Sequence, residues 1–244
     1  MDKGNLITEI INLFKTEGYN VKYKVLDAAN YGTPQHRKRV IIVGNNLNKS
    51  YEYPEPTHSE IDLTTNLFSN ELLNPLITMG DALSDLPLNS DILNISNEYL
   101  SPPKNYYQKI MRQGSSTKIH DHIPPKNNSN LIKLMEALPQ GGTPKDLPDK
   151  LKPKSGFGNS YSRLWWDRPS TTITRNFSTP SSARCIHPLS PRPLTTREGA
   201  RLQGFPDNYS FFGSRSEKNL QIGNAVPTFL SFALKDSVKK LFNN

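Results

Sequence analysis

The sequence predicts an α/β fold that is regular at both ends of the chain and rich in loops between them. A helix and two strands are predicted within residues 1–45, and helices return after residue 191. Between these ends, Asn, Ser and Pro are frequent and periodic stretches are short, which is typical of long loops. A helix followed by two strands is only the end of an α/β unit, so we expect part of a layered α/β domain with a loop-rich module inside it.

The first predicted elements follow directly from the spacing of apolar residues. Over residues 5–17, apolar side chains recur at helical spacing, and Gly18 is expected to end this helix in a left-handed turn. Residues 21–25 alternate apolar side chains with lysines, which is the period of a strand. The β-branched run at residues 40–43 predicts a second strand. Residues 31–39, between the two strands, form a basic loop marked by Gly32 and Pro34.

The later elements are predicted from helix-start signals. Residues 130–138 predict a short helix ended by Pro139. Thr195 and Glu198 match a capping box, and Pro227 suits the first turn of a final helix. The residues expected on the buried face of that helix are Phe229, Leu230, Ala233, Leu234, Val238 and Leu241.

Composition limits the classes of protein and site that the chain can form. Lys and Arg number 30 against 22 Asp and Glu, and the resulting formal charge of +8 favours a polyanionic partner. Cys185 is the single cysteine, which excludes an internal disulfide and a multi-cysteine metal site. His120 and His122 lack a third ligand at suitable spacing, so we favour polar loop histidines and expect no metal. No run of about 18 apolar residues predicts a membrane span, and the default prediction is a cytoplasmic protein.

The loop between the predicted strands carries Gln35, Arg37 and Arg39 at alternate positions. In extended geometry these three side chains point to the same side, with Lys38 opposite. A planar guanidinium fork suits a carbonyl oxygen or a phosphate group. From spacing alone, a solvated basic turn is the commoner explanation, so the pattern leaves both open.

Four segments together resemble the DNA (cytosine-5) methyltransferases. Residues 31–40 resemble the Gln-x-Arg-x-Arg motif of that family, residues 192–207 its penultimate motif, and residues 221–227 its last motif. Residues 168–174, which contain a Thr followed by an aliphatic residue, resemble the end of the target recognition domain. The motifs occur in the family's order, and the resemblance covers essentially the whole chain.

The resemblance implies the C-terminal part of a doubly wound, S-adenosylmethionine-dependent methyltransferase fold plus a small loop-rich recognition domain. Residues 1–45 would be the C-terminal edge of the catalytic domain, with a helix, two strands and the Gln-x-Arg-x-Arg loop. Residues 46–191 would be the target recognition domain with its linker. Residues 192–244 would return as helices to the catalytic domain and the cofactor pocket.

The early motifs of the family do not occur in this sequence. The glycine-rich cofactor loop, the Pro-Cys nucleophile and the Glu-Asn-Val acid motif are all missing from the 244 residues. We therefore expect a subunit of a split DNA (cytosine-5-)-methyltransferase, inactive alone, whose second methyltransferase chain carries those motifs. The alternatives are a non-catalytic DNA-binding module and an inactive fragment of a frameshifted methyltransferase.

The resemblance also implies residue roles in the transfer of a methyl group from S-adenosylmethionine to a flipped cytosine in double-stranded DNA. Arg39 would hold the cytosine O2 atom, Arg37 would assist there or grip the adjacent phosphate, and Gln35 would shape the loop and contact the DNA backbone. The turn Asn224-Ala225-Val226 would help to close the cofactor pocket. A restriction-modification system is the expected context.

Sequence recognition is expected within the middle of the chain. Arg163, Arg175 and Arg184 are candidate guanine readers, because bidentate Arg-to-guanine contacts are the commonest specific contacts to DNA. By resemblance, Thr172 and Ile173 would lie near the target base.

Three further features have a structural and a functional interpretation. Cys185 is expected to be a packing residue and not a nucleophile, since the family has a bulky side chain at its position. Trp165 and Trp166 are expected to pack in the core or at an interface, with base stacking as the alternative. Lysines of the segment 150–154 are expected to line a solvated, DNA-facing loop and to contact phosphate if anything.

Overall fold

The chain begins with a helix and an antiparallel hairpin in a computed structural model that describes residues 5–60, 73–90, 93–154 and 158–243. Helix α1 covers Asn5–Thr16, strand β1 Asn20–Asp27 and strand β2 Lys38–Asn45. Gly18 has a φ of 81° between α1 and β1, as its predicted helix-ending role requires. These elements confirm the prediction made from the N-terminal spacing.

The two faces of the hairpin have different environments. One face carries Leu26, which packs with Tyr31 of the strand connection and Leu230 of the last helix in a small core. The Tyr53 hydroxyl lies within hydrogen-bond distance of two strand carbonyls on this hairpin. The opposite face pairs Val25 with Val40 and Tyr23 with Ile42. These four side chains remain between 36% and 55% exposed.

The middle of the chain has short elements joined by long loops, as its composition predicts. Its strands form two parallel pairs of two or three residues each. The elements are β3 (His58–Ser59), β4 (Asn74–Pro75), α2 (Met79–Leu83), α3 (Tyr106–Met111), α4 (Ser129–Ala137), β5 (Ser162–Arg163) and β6 (Arg184–Ile186). The predicted short strands around residues 156–174 reduce to β5, and residues 156–157 lie outside the described residues.

Three helices complete the chain: α5 (Thr196–Leu202), α6 (Arg215–Asn224) and α7 (Thr228–Asn243). Thr195 caps α5 in a full capping box with Glu198, which confirms that prediction. The sequence analysis did not predict α6, although Ser214 and Glu217 form the same kind of box at its start.

The buried face of α7 differs from the prediction at one position. Leu230 is fully buried, and Ser237 and Leu241 are less than 8% exposed. Val238, which was expected on this face, is 38% exposed. The observed stripe follows positions i, i+7 and i+11, so the residue one step past Ser237 turns out of the contact.

The largest core joins the middle of the chain to the C-terminal helices. It combines apolar residues of α2, α3 and α5 with those of the segments around Leu164 and Phe177. Fully buried Arg201 crosses this core and forms ion pairs with Asp85 and Asp207. These ion pairs tie α5 to the loop-rich region. No helix in the described part of the chain is long and apolar enough to cross a membrane.

A second buried ionic pair fixes the segment before α5. Arg192 makes a bidentate contact with Glu198, with donor–acceptor distances of 2.8 and 2.7 Å. Burial acts to raise the pKa of Glu198, but the charge and hydrogen bonds of Arg192, together with the neighbouring histidines, outweigh it and the net pKa lies well below its usual range. Burial also lowers the pKa of the adjacent His187 to about 3, so this histidine is neutral in the folded protein.

Candidate functional site

The loop that connects β1 and β2 is closed at its base by Asp27. Its Oδ1 accepts hydrogen bonds from the backbone N–H groups of Ala29 and Arg37, and its Oδ2 lies 3.1 Å from His36 Nδ1. Gly32 follows a short 3₁₀ turn with a φ of 87°, and a Cβ there would lie 2.9 Å from the His58 ring. Carboxylate capping and a left-handed glycine thus hold the loop in one conformation.

Gln35 is completely buried and contacts two other segments of the chain, residues 202–203 and the segment of Ile173. Its Nε2 donates to the carbonyl of Leu202 at 2.7 Å and to the side chain of Gln203. Its Oε1 accepts from the backbone N–H of Ile173 at 3.0 Å. All of these partners are protein groups, so the side chain of Gln35 organises the loop from inside.

Arg37 is also directed into the protein. It is 4% exposed, and its guanidinium donates to the carbonyls of Ile173 at 2.6 Å and Gly223 at 2.8 Å. Burial, followed by the nearby charge of Arg39, lowers the pKa of Arg37 to about 10, which leaves the side chain protonated at neutral pH. This geometry replaces the expected phosphate contact with a contact between protein segments.

Arg39 differs from both of these residues because its side chain is exposed. Its Nη1 donates to the carbonyl of Lys38, 2.7 Å away. The expectation that Gln35, Arg37 and Arg39 share one side is wrong, because β2 begins at Lys38 and the alternation of a strand does not extend back to Arg37. Among the three motif residues, Arg39 alone presents its side chain outward.

The segment 170–173 lies alongside this loop. Gln35 and Ser170 form a parallel β-bridge, and His36 N–H donates to the Ser170 carbonyl at 2.9 Å. The exposed Thr172 donates its hydroxyl to the His36 carbonyl at 2.7 Å, whereas Ile173 is buried. The structure therefore brings the predicted Thr-aliphatic pair and the Gln-x-Arg-x-Arg loop together.

The candidate guanine readers occupy three different environments. Arg163 is 6% exposed, and its guanidinium donates to the carbonyls of Met135, His187, Pro188 and Ser190. The base-reading role expected for Arg163 is thus contradicted, because its donors are already directed at backbone carbonyls inside the protein. Arg175 is exposed and available to a ligand.

Arg184 is intermediate between these extremes. Its Nη1 donates to the carbonyls of Gly141 and Arg163, and its guanidinium lies 4.4 Å from the centre of the Trp165 ring. It also lines a cavity of 470 Å³ together with Lys145 and Lys154. Arg184 therefore has a structural anchor and still borders a basic surface cavity.

The two tryptophans pack against glycines. A Cβ on Gly141 would lie 2.0 Å from Trp165 Nε1, and one on Gly80 would lie 2.9 Å from Trp166 Nε1. Trp166 also packs against the main core. Both rings are half-buried, in agreement with the packing interpretation.

Cys185 and His122 are buried and make structural contacts. Cys185 is fully buried, and burial raises the pKa of its thiol far above the usual range, so it lacks thiolate character. His122 lies 2.9 Å from the Thr195 hydroxyl and 2.7 Å from the Pro87 carbonyl. Within the described ranges, no group of three His, Cys, Asp or Glu side chains could hold a metal ion.

The turn at the end of α6 lies directly beside the loop and the segment 173–175. A Cβ on Gly223 would lie 2.2 Å from the backbone nitrogen of Arg175, so only glycine permits this approach. Asn224 is exposed, Val226 is 54% exposed, and the Ala225 carbonyl accepts from Gln203 Nε2 at 3.2 Å. The sequence analysis missed Gln203, because a neutral glutamine inside a helix-ending motif has no charge or spacing signal.

The architecture defines a methyltransferase-type α/β protein. It superposes on a crystal structure from E. coli described as a DNA modification methyltransferase encoded within a prophage, with a TM-score of 0.68. The two sequences are 22% identical, and the match covers 100% of this chain and 67% of that chain. A family model for C-5 cytosine-specific DNA methylases matches residues 1–240, and the chain belongs to this family.

The chain covers only part of the length of the similar curated proteins. Type II methyltransferase M1.HphI of Haemophilus parahaemolyticus is 30% identical, over 100% of this chain and 54% of that protein. M.NgoFVII of Neisseria gonorrhoeae is 33% identical, and the match covers 100% of this chain and 56% of that protein. DNA (cytosine-5)-methyltransferase 2 of Arabidopsis thaliana is 34% identical, and the match covers 91% of this chain and 17% of that protein. The chain thus spans about half the length of the bacterial relatives.

The family uses S-adenosylmethionine as methyl donor, and the resemblance implies that the turn 224–226 would help to close the site for it. The exposed Asn224 offers an amide, and the exposed Val226 offers an apolar surface next to it. An adenosine or a methionine moiety needs both kinds of contact. The other walls of such a site would have to come from the motifs that the sequence lacks.

Proposed function

We propose that this chain is the C-terminal half of a DNA cytosine-5 methyltransferase. It supplies target recognition, a guanidinium for the reacting base and one wall of the cofactor pocket. The observation that best supports this proposal is that the side chains of the two loop arginines, Arg37 and Arg39, point in different directions. Gln35 and Arg37 hold the loop from inside, whereas Arg39 is exposed. The Thr172 hydroxyl bonds the same loop at the His36 carbonyl.

Arg39 is proposed to stabilise charge on the flipped cytosine. Carbon-5 becomes nucleophilic when a thiolate adds to carbon-6, and this addition places negative charge on the O2 side of the ring. A fixed guanidinium at O2 lowers that barrier electrostatically. S-adenosylmethionine, when bound, supplies the methyl group that carbon-5 accepts. In this scheme, Asn224, Ala225 and Val226 orient the cofactor from this chain's side.

A second methyltransferase chain is proposed to carry the cofactor loop, the nucleophile and the acid. Neither a Pro-Cys nor a Glu-Asn-Val string occurs in the sequence. The exposed hairpin face of Tyr23, Val25, Val40 and Ile42 supports this partner, because an isolated two-stranded hairpin with an uncovered apolar face is marginal in water. We place the assembled enzyme in the cytoplasm, in a restriction-modification context like that of its type II relatives.

Double-stranded DNA is the proposed substrate, and exposed cations are proposed to contact it. Arg175 and Arg184 remain candidate guanine readers, and Thr172 and Ile173 remain candidates for positions near the target base. The formal charge of +8 supports binding to DNA phosphates.

Methyl transfer from labelled S-adenosylmethionine to cytosine-containing duplex DNA tests the proposal. The chain alone should be inactive, and addition of the chain that carries the early motifs should restore transfer. Arg39→Ala should then lower kcat by about 10²–10³-fold, as loss of an oxyanion donor does. Lys38→Ala is the matched control, because Lys38 is an exposed neighbouring cation, and it should leave kcat nearly unchanged.

Two outcomes would contradict parts of the proposal. Transfer by the chain alone would contradict the need for a second chain. Site-specific DNA binding without transfer by the two mixed chains would favour the non-catalytic DNA-binding module instead.

A further inference from the structure

The side-chain amides of Gln35 and Gln203 form a continuous hydrogen-bonded chain through the protein. The Ile173 N–H donates to Gln35 Oε1 at 3.0 Å, and Gln35 Nε2 donates to Gln203 Oε1. Gln203 Nε2 then donates to the carbonyls of Ile222 at 2.6 Å and Ala225 at 3.2 Å. One end of this amide chain lies in the segment proposed to meet DNA, and the other end lies in the turn proposed to meet the cofactor.

The side-chain amide groups of both glutamines have hydrogen-bond partners and are shielded from water. Each is 0% exposed, and the second Nε2 hydrogen of Gln35 is used by the Leu202 carbonyl at 2.7 Å. A buried donor that loses its partner is destabilising, and neither amide can turn without breaking the bonds of the other. The amide chain therefore has one low-energy arrangement, and both of its ends share it.

Arg37 provides a second link between the same two ends. Its guanidinium bridges the carbonyls of Ile173 and Gly223. The absence of a Cβ on Gly223 lets α6 contact the backbone of Thr174 and Arg175 directly. A displacement of Ile173 is consequently opposed by the end of α6, and the reverse also holds.

We propose that Gln203 is a positioning residue that makes the binding of DNA and of S-adenosylmethionine interdependent. This inference rests on the proposed function. DNA that orders the Ile173 segment would also order the Ile222–Ala225 turn through the amide chain, so the cofactor would bind a turn that is already ordered. The coupling is reciprocal, and the cofactor would strengthen DNA binding by the same factor.

The test compares Gln203→Met with Gln108→Met in the assembled enzyme. Gln108 is an equally buried glutamine that bonds the carbonyl of Asp81 and the hydroxyl of Ser84, outside the amide chain. Calorimetry would give the Kd of S-adenosylhomocysteine with and without duplex DNA. In the wild type and in Gln108→Met, DNA should tighten this Kd by about 5-fold or more. In Gln203→Met the factor should fall to near 1.

Hydrogen exchange in the 244-residue chain provides a readout that is independent of ligands. Gln203→Met should accelerate amide exchange at Ile173 as well as at Ala225, whereas Gln108→Met should accelerate neither selectively. Acceleration at Ala225 alone would overturn the proposal, because the two ends would then be independent.

A second variant keeps the test usable if Gln203→Met fails to fold. Gln203→Glu retains the acceptor for Gln35 but faces a carboxylate toward two carbonyls. In this variant, DNA should not tighten the Kd of S-adenosylhomocysteine at neutral pH. Part of the effect should return in acid, because the protonated carboxyl group can donate again.

The outcomes separate the two proposals. Suppose that the assembled wild type transfers methyl groups and that DNA tightens the Kd of S-adenosylhomocysteine equally in wild type and Gln203→Met. That result would overturn the role of Gln203 and leave the proposed function standing. Absence of transfer in the assembled wild type would contradict the proposed function, while the exchange data would still decide whether Ile173 and Ala225 are linked.

Discussion

At the scale of single residues, the arginines of this protein divide according to what their guanidinium groups contact. Arg163 and Arg37 donate to backbone carbonyls, and Arg201 pairs with carboxylates, all of them in the interior. Arg39 and Arg175 are exposed. A buried guanidinium satisfies several carbonyls at once, which a lysine with its compact ammonium group cannot do in the same geometry.

Arg163→Lys should therefore destabilise the protein instead of changing its DNA specificity. The substitution leaves some of four buried carbonyls without a donor, and each unsatisfied group costs about 1–3 kcal/mol. Urea unfolding would measure the loss. The control is Arg175→Lys, an exposed position that should change stability by less than about 0.5 kcal/mol. Normal stability with an altered target sequence in Arg163→Lys would reinstate the base-reading role.

Sequence alone could not separate these arginines. A charged residue between turn signals is usually exposed, and the carbonyls around Arg163 come from α4 and from residues 187–190, which are distant in sequence. The packing of Cys185 was predictable because a lone cysteine usually behaves as a small apolar residue. The resemblance pointed to Arg39, whose role stays a prediction, and gave no signal for Gln203, whose partners are set by tertiary folding.

At the scale of elements, local signals predicted most boundaries and failed where packing decides. Helices α1 and α5 follow from apolar spacing and a capping box. Helix α6 begins with the capping box of Ser214 and Glu217 but contains few apolar residues. The spacing of apolar residues therefore did not predict it. Its place in the fold depends on Gly223, which fits against another segment of backbone.

Gly223→Ala should detach the end of α6 from the segment 174–175. The added Cβ would lie 2.2 Å from a backbone nitrogen, so the helix must move and the contact from Arg37 to the Gly223 carbonyl must lengthen. Overpacking of this kind costs about 1–3 kcal/mol. Urea unfolding would measure it against Gly158→Ala, where a Cβ meets nothing within 4 Å. Equal stability of the two variants would contradict this packing.

At the scale of the whole molecule, the apolar surface is distributed unevenly. The loop-rich middle and α5 share one continuous core that buries Leu164, Leu194 and Leu202 fully. Helix α1 leaves Leu6 and Leu13 more than 60% exposed, and the neighbouring hairpin face is about half exposed. The alternation in β1 and β2 by itself does not show which of the two hairpin faces stays exposed.

Charge placed on the hairpin face should have two opposite effects. Val25→Glu puts a carboxylate beside Val40 on the exposed apolar face, so the isolated chain should aggregate less in light-scattering measurements. The same carboxylate would have to be buried against the proposed second chain, which is costly without a partner charge, so restoration of methyl transfer should fall at least tenfold. Lys24→Glu is the control, because Lys24 is exposed on the same strand but its side chain belongs to the opposite face. Full restoration with Val25→Glu would show that the second chain docks elsewhere, since no desolvated interface tolerates an unpaired carboxylate at its centre without loss of affinity.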